Sequence, residues 1–125
     1  MTYRITKDFE FCAAHRLTGL PEGHKCARLH GHNYVVRVEI KLADVDGVGF
    51  VVDYGELAAF KNWLDDWLDH RHLNEVDVLR EVNPTAENLA RVLHDVVWRV
   101  CPVPAGAQVV VSVSETPKTW AVYQP

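Results

Sequence analysis

The chain has 125 residues, of which 48% are hydrophobic, enough for a single domain over residues 1–125 to bury its own core. A net charge of −4 with mixed signs provides no overall basic character to attract nucleic acid, so a small molecule is the expected partner. No apolar run approaches the roughly 20 residues of a membrane span, and the start MTYRITKDFEF is unlike a signal segment, so a cytoplasmic protein is expected.

Two strands, each with one inward face, are predicted in the first 42 residues, because apolar and charged side chains alternate there. The inward side chains of the first strand are Tyr3, Ile5, Phe9, Phe11, Ala13 and His15, with Lys7 the only interruption. Those of the second are His30, His32, Tyr34, Val36, Val38, Ile40 and Leu42. The first strand therefore ends on an inward histidine, and the second begins with two.

The next segment predicts a hairpin followed by a helix. ADVDGVG supplies a turn around Asp46-Gly47, and GFVVD then forms a short third strand. Asp53 is a candidate helix cap, and Glu56 three residues later completes a capping box. A helix of about four turns follows. Its apolar stripe consists of Leu57, Phe60, Leu64, Trp67 and Leu68.

A second helix and two final strands complete the predicted domain. Thr85 in NPTAEN caps the helix, which stops near Cys101-Pro102. Its stripe consists of Leu89, Val92, Leu93, Val96 and Val100. QVVVSVSE and TWAVY then return to strand character. The order β-β-β-α-α-β-β predicts an α+β domain with an antiparallel sheet and two helices on one face.

The stretch CARLHGHNY, residues 26–34, contains the first candidate site. His30 and His32 are two apart on a strand, so both imidazoles leave the same face, and Gly31 leaves room for close approach. His15 can lie opposite them on an antiparallel neighbour. Three imidazoles around zinc leave a fourth position open, as catalytic sites do. The alternative is three ordinary hydrogen-bonded histidines, but their converging parities favour the metal site.

The three cysteines have unrelated spacings, which argues against a disulfide framework and predicts reduced thiols. Cys26 has Lys25 and Arg28 beside it, and cationic neighbours or a nearby metal favour a thiolate that acts as base or nucleophile. The alternative for Cys26 is a small buried hydrophobe. Cys12 and Cys101 lack such a setting and are predicted to be packing residues.

The sequence strongly resembles the 6-pyruvoyltetrahydropterin synthase and 6-carboxytetrahydropterin synthase family almost from end to end. The segments that carry the resemblance, in the family's order, are FEFCAAHRL, GHKCARLHGHNY, VVDYGEL, LDHRHLN, NPTAENLA and SETPKTWAVY. The short spacing Cys-x-x-x-His-Gly-His resembles the bacterial 6-carboxytetrahydropterin synthases of queuosine and deazapurine biosynthesis. The animal-type pyruvoyl enzymes have a longer gap at this point.

The resemblance implies roles for particular residues. His15, His30 and His32 would bind Zn²⁺, Cys26 would be the catalytic thiol, and Asp69 would orient His70 in a Cys-His-Asp relay. From the residues alone, Asp69 is an ordinary solvated charge at a helix end. Glu115 would anchor the pterin, because a carboxylate accepts two parallel hydrogen bonds from its 2-amino and ring N–H groups. Thr85 lies where family members contact the pterin, although helix capping is sufficient to explain it.

The implied reaction converts 7,8-dihydroneopterin triphosphate to 6-carboxytetrahydropterin, acetaldehyde and triphosphate. Arg16, Lys25 and Arg28 flank the proposed ligands and are candidates to bind the triphosphate; otherwise they are ordinary surface charges. The resemblance also implies the tunnelling fold, with sheets joined edge to edge in a homo-oligomer, a hexamer or tetramer, and active sites at subunit boundaries.

Three other functions stay open at this point. One is a 6-pyruvoyltetrahydropterin synthase, which eliminates triphosphate but keeps the three-carbon side chain. A second is a zinc- or pterin-binding protein without turnover, although the joint presence of Cys26, Asp69 and His70 disfavours it. The third is a structural zinc domain with Cys26 as the fourth ligand.

Overall fold

The computed structural model describes residues 2–125 and contains five strands, two helices and four short 3₁₀ turns. The strands are β1 (Tyr3–His15), β2 (His30–Leu42), β3 (Arg71–His72), β4 (Gln108–Thr116) and β5 (Thr119–Tyr123). The helices are α1 (Ala58–Trp67) and α2 (Ala86–Val100). The 3₁₀ turns are Lys25–Ala27, Tyr54–Leu57, Leu73–Glu75 and Asp77–Leu79. The predicted α+β class is confirmed.

The strands form one sheet in the order β3-β1-β2-β4-β5. Strands β1, β2, β4 and β5 pair antiparallel, as predicted. The short β3 instead pairs parallel with β1, at Ala13 and Ala14, so the sheet is mixed. This pairing brings the chain after α1 beside the end of β1 that carries His15.

The predicted inward faces of β1 and β2 are confirmed over the carboxyl half of β1 and most of β2. Phe9, Phe11 and Ala13 are buried on β1, and the side chains opposite them on β2 include Tyr34 and Val36. Phe11 stacks on Tyr34 with ring centroids 4.8 Å apart. Tyr3, at the start of β1, is 42% exposed because the core does not extend that far.

The predicted third strand at GFVVD is wrong. Residues 49–53 form a bend, and the carboxylate of Asp46 accepts backbone N–H groups from Val48, Gly49 and Phe50. Two of these donors, Gly49 and Phe50, begin the predicted strand, so the loop closes on Asp46 there instead of starting a ladder. The apolar character of the segment has another cause: Val51 and Val52 are buried in the core.

The first helix begins more tightly than predicted. Asp53 does act as a cap, accepting the Gly55 N–H at 2.9 Å, but the turn it caps is the 3₁₀ turn Tyr54–Leu57. Glu56 reaches Asp53 through its backbone N–H, which donates to the Asp53 carbonyl. Leu57, Phe60, Leu64 and Leu68 are buried as predicted. Trp67 is 50% exposed instead, because it is the last residue of α1 and lies at a surface cleft beside Arg71.

The second helix agrees with its prediction in its limits. Leu89, Leu93 and Val96 of the predicted stripe are buried, whereas Val92 and Val100 are only partly buried and Val97, which was not predicted, is buried. It packs on β4 and β5, and α1 packs against α2 and β1, so both helices cover one face of the sheet. No helix formed by residues 2–125 is long and apolar enough to span a lipid bilayer. The helical side of the sheet holds the core, and the inward histidines of β1 and β2 lie at one end of it.

Replacing Thr85 with alanine is expected to lower the free energy of unfolding by about 1 kcal/mol. The Thr85 hydroxyl accepts the Asn88 N–H at 3.1 Å, and this bond satisfies an otherwise free donor of the first turn of α2. Thr85→Ser keeps the hydroxyl and should retain most of the stability. Urea denaturation of both variants tests this, and equal losses for alanine and serine would rule out capping as the main role of this hydroxyl.

Candidate metal centre

Three histidines converge at one end of the sheet, as the strand parities predict. In the β1–β2 register, His15 lies opposite His30, and Ala13 lies opposite His32. All three imidazoles therefore project from the face of the sheet that the helices cover. They belong to two register pairs that are two residues apart along the strands. The ring centroid of His15 lies 4.6 Å from that of His30 and 5.1 Å from that of His32. His15 is completely buried and the other two are partly exposed.

Backbone carbonyls set the tautomers of two of these histidines. His15 Nδ1 lies 2.8 Å from the Pro84 carbonyl oxygen, and His30 Nδ1 lies 2.7 Å from that of Arg28. A carbonyl only accepts, so each Nδ1 carries the proton and donates. Each Nε2 then has a free lone pair directed at the cluster. Metal-binding histidines typically donate the N–H of their other ring nitrogen to a carbonyl in this way.

The spacing of the ligand atoms fits a tetrahedral metal. His15 Nε2 and His30 Nε2 are 3.1 Å apart, although both are acceptors in these tautomers. Two lone pairs at this distance repel each other unless a cation lies between them. Zinc with ligands at about 2.0–2.2 Å holds neighbouring ligand atoms about 3.3–3.6 Å apart, so small outward movements would admit it. His32 Nε2 is also buried without a hydrogen-bond partner, as expected for a third ligand.

Glu115 joins the histidines, and this contact was not predicted from the sequence. Its Oε2 lies 2.8 Å from His32 Nε2 and 3.4 Å from His15 Nε2. The ligand atoms of the four side chains lie within 4.8 Å of one another. The parity of β4 contains the missed signal: Glu115 continues the inward series of Val109, Val111 and Val113.

The electrostatics of the cluster favour an ionised Glu115 carboxylate beside a neutral His32 imidazole. The neighbouring imidazoles, first of His15 and then of His32, hold the pKa of Glu115 below its usual range, against the opposing effect of burial. Burial lowers the pKa of His32, although the Glu115 charge acts in the opposite direction. Neutral imidazole and ionised carboxylate are the forms that coordinate a metal.

Asp69 and His70 form a second polar pair, on the turn between α1 and β3. Asp69 Oδ2 lies 2.9 Å from His70 Nδ1, and Asp69 Oδ1 accepts the Cys12 N–H at 2.9 Å. His70 has a positive φ of 58° and donates its own N–H to the Cys12 carbonyl at 2.6 Å. The pair is thus attached to the edge of β1 at both residues. This geometry places the Asp69 carboxylate where it can accept a proton from His70 Nδ1, and it leaves His70 Nε2 free on an exposed side chain.

Asp69→Asn is expected to destabilise the fold more at neutral than at acid pH. Hydrogen bonds from Cys12 and then from His70 hold the pKa of the Asp69 carboxyl below its usual range. The stability from its ionised form is complete above the unfolded pKa of about 3.9 and is lost as the pH falls through the lower folded pKa. The difference in free energy of unfolding between wild type and variant, from urea denaturation, should therefore shrink from about pH 5 downwards.

The control for this prediction is Asp66→Asn, in the last turn of α1. The Asp66 carboxylate is exposed and makes no hydrogen bond within residues 2–125, so its removal should change stability by at most about 0.5 kcal/mol. A pH-independent difference for Asp69→Asn would contradict the role of the ionised carboxylate.

The cysteines differ in their environments. Cys26 is half-buried in the 3₁₀ turn Lys25–Ala27, where its N–H donates to His24 Nδ1 and its carbonyl accepts the Leu17 N–H. Cys101 is buried, as predicted for a packing residue, and burial raises the pKa of its thiol. The same prediction is wrong for Cys12, which is exposed because its side chain leaves the outer face of β1. Its Sγ lies 3.0 Å from the side-chain oxygen of Asn33.

Two clefts adjoin the histidine cluster. One of about 550 Å³ contains His32, His70, Arg71 and Cys12 in its lining, so it connects the cluster with the Asp69–His70 pair. Another of about 450 Å³ is lined by residues that include His32, Glu115 and Trp120. Cys26 lines neither cleft. The side chains of Arg16, Lys25 and Arg28 are exposed and form no ion pair within residues 2–125.

The fold and this cluster define a class: an α+β protein with a candidate metal site of three histidines and one carboxylate at the end of a five-stranded sheet. Comparison with known proteins narrows this class to one protein family. Residues 4–125 match the protein family described as 6-pyruvoyl tetrahydropterin synthase. The chain therefore belongs to this family of tetrahydropterin synthases, and the predicted resemblance is confirmed.

Individual relatives carry two names. A 6-carboxy-5,6,7,8-tetrahydropterin synthase of Rickettsia bellii is 34% identical over 104 residues, covering 70% of this chain and 74% of that protein. One of the same name from Bacillus subtilis is 30% identical over 132 residues, covering 99% and 86%. The solved structure of Caenorhabditis elegans 6-pyruvoyl tetrahydropterin synthase is 29% identical, with a TM-score of 0.86, covering 100% and 96%. The mixed sheet with two helices is thus the tunnelling fold of this family.

Proposed function

We propose that this protein is a zinc-dependent 6-carboxy-5,6,7,8-tetrahydropterin synthase, a carbon-carbon lyase acting in queuosine or 7-deazapurine biosynthesis. It would convert 7,8-dihydroneopterin triphosphate to 6-carboxytetrahydropterin, acetaldehyde and triphosphate. The observation that carries the proposal is the convergence of three histidine Nε2 atoms, two of them with tautomers set by backbone carbonyls. The names of the Rickettsia and Bacillus relatives support the carboxy-synthase activity.

The metal ligands would be His15, His30 and His32. Zinc, when bound, would polarise the hydroxyl and carbonyl oxygens of the substrate side chain and so ease removal of neighbouring protons. The cluster is suited to zinc rather than magnesium or calcium, because imidazole nitrogen predominates over oxygen. The open cleft beside His32 would admit the substrate side chain.

Cys26 and His70 would move the protons. The Cys26 thiolate, with Lys25 and Arg28 beside it in sequence, would remove a proton from the substrate side chain. His70 would exchange protons through Nε2, while Asp69 holds the proton on Nδ1. The lining of the His70 cleft does not include Cys26, so we propose that a neighbouring subunit brings the two groups together.

Binding of the substrate would use charges at both of its ends. Glu115 would accept two parallel hydrogen bonds from the pterin ring in the cleft of about 450 Å³, and Thr85 would contribute through its backbone. Arg16, Lys25 and Arg28 have no ion-pair partner within residues 2–125 and would bind the triphosphate. The edge of β1 that short β3 leaves unpaired before Ala13, together with the free edge of β5, supports a homo-oligomer, a hexamer or tetramer, with sites at subunit boundaries.

Product analysis tests this proposal against its alternatives. Metal-loaded protein is incubated with 7,8-dihydroneopterin triphosphate, the pterin is identified by mass spectrometry, and acetaldehyde is assayed in parallel. We expect 6-carboxytetrahydropterin with stoichiometric acetaldehyde. A pyruvoyl product without acetaldehyde would assign the sister activity, which the name of the Caenorhabditis elegans neighbour favours. No turnover by a folded, metal-loaded protein would favour a binding protein instead.

A further inference from the structure

The carboxylate of Glu115 lies within reach of two different ligands. Its Oε2 is 2.8 Å from His32 Nε2 and 3.4 Å from His15 Nε2, and its side chain also lines the cleft of about 450 Å³ with Trp120. Beside the histidines, the carboxylate could bind a metal that they hold. In the cleft, it could bind the pterin ring of the proposed substrate. Both uses require the same carboxylate.

The contact with His32 is not an ordinary hydrogen bond. His32 Nε2 is buried and has no hydrogen-bond partner, although Glu115 Oε2 is only 2.8 Å away. If His32 holds its proton on Nδ1, as His15 and His30 do, its Nε2 lone pair faces the carboxylate oxygen, and a cation shared between the two atoms would remove the repulsion. The separations of 2.8, 3.1 and 3.4 Å among these ligand atoms would have to widen by less than about 1 Å to reach the roughly 3.3–3.6 Å expected around a tetrahedral zinc.

The backbone at Glu115 is suited to a side chain with two positions. The pairing of β4 with β5 is regular as far as Val113 and resumes at Thr116 with a shifted register, so Glu115 lies in the irregular stretch between them. Irregular strand positions often re-aim a side chain at a functional site. The side chain is 24% exposed, which leaves room to rotate between the cluster and the cleft.

We propose that Glu115 is the fourth ligand of the metal in the substrate-free protein, and that it leaves the metal to bind the pterin ring. The metal half of this inference depends on the geometry alone, whereas the pterin half depends on the proposed function. Two parallel hydrogen bonds to the pterin require both carboxylate oxygens, so Glu115 cannot bind metal and ring fully at the same time. The fourth metal position would then open only when a pterin is in place.

This exchange implies a measurable antagonism between the metal and the ring. Coupling between two ligands is reciprocal, so zinc should weaken binding of the ring by the same factor by which the ring weakens binding of zinc. The suitable probe is unsubstituted pterin, because it has the ring but lacks the side-chain oxygens that the metal would bind. The full substrate would hide the effect by contributing new oxygen ligands.

The test measures zinc affinity by competition with a chelator, with and without saturating pterin. For the wild type, we expect pterin to weaken zinc binding by about fivefold or more, within the usual range of coupling. Glu115→Gln should bind zinc at least about tenfold more weakly than the wild type. Pterin should have no further effect on that variant. Glu22→Gln, which changes an exposed loop glutamate outside the cluster, is the matched control and should behave as the wild type does.

Each half of the inference has its own contradicting result. Glu115→Gln with wild-type zinc affinity would overturn the ligand role. Pterin that binds the zinc-loaded wild type without changing its zinc affinity would overturn the exchange. If calorimetry shows no binding of pterin to the metal-free wild type, the pterin half fails together with the proposed function, while the zinc affinity of Glu115→Gln still decides the metal half.

A measurement on the wild type alone guards against misfolding of the variant. Cobalt-loaded protein should change its visible absorption spectrum when pterin is added, because the loss of one carboxylate ligand alters the coordination geometry. An unchanged spectrum at saturating pterin would count against the exchange, whatever the state of the Glu115→Gln protein.

Discussion

Replacing Cys26 with alanine is expected to abolish turnover and leave metal binding unchanged. The thiol is the proposed base, and loss of a positioned acid-base group reduces the rate by about 10²–10⁴-fold. Cys26 is not one of the four side chains that form the candidate metal cluster, so the alanine variant should keep its metal. Turnover is measured by acetaldehyde release, and the metal content by elemental analysis of the purified variant.

This result separates a catalytic thiol from a structural ligand. If Cys26 were the fourth ligand of a closed zinc site, Cys26→Ala would lose metal and turnover together. Cys101→Ala is the matched control, because it removes a thiol that is buried in the core. It should retain both metal and turnover, apart from a modest loss of stability. An active Cys26→Ala protein would show that another group removes the proton.

The convergence of the histidines could be predicted because it depends on strand parity alone. Side chains on a strand alternate between its faces, so His15, His30 and His32 had to share a face once β1 and β2 paired. The Asp69–His70 pair could not be found in this way. It lies on a turn with a positive φ at His70, and its attachment to Cys12 joins residues 57 positions apart in sequence.

The wrong and the missed predictions also have identifiable physical causes. GFVVD has the composition of a strand, but the N–H groups of Gly49 and Phe50 donate to the Asp46 carboxylate, and local side-chain bonds compete with ladder formation. The prediction that Cys12 is a packing residue is wrong because its parity on β1 places it on the outer face. Glu115 had the inward parity of β4, yet its contact with the histidines depends on β4 pairing with β2, which local patterns do not specify.

Replacing His30 with alanine is expected to lower zinc affinity by more than about 100-fold. Loss of a group that only hydrogen-bonds to a metal ligand costs about 10–100-fold, and this substitution removes a ligand itself. His30 is the suitable choice among the three. It is partly exposed at the first residue of β2, whereas His15 is completely buried, and truncating His15 would also leave a cavity. Chelator competition measures the affinity, and circular dichroism verifies the fold.

His70→Ala is the matched control for this experiment, because His70 is an exposed histidine outside the metal cluster. It should bind zinc as the wild type does and yet lose turnover, since the proposed proton exchange at Nε2 is removed. Zinc binding should therefore be weakened only in His30→Ala, whereas turnover should be lost in both variants. If His30→Ala bound zinc normally, the convergence of the three imidazoles would not be a metal site, and the proposed function would lose its main support.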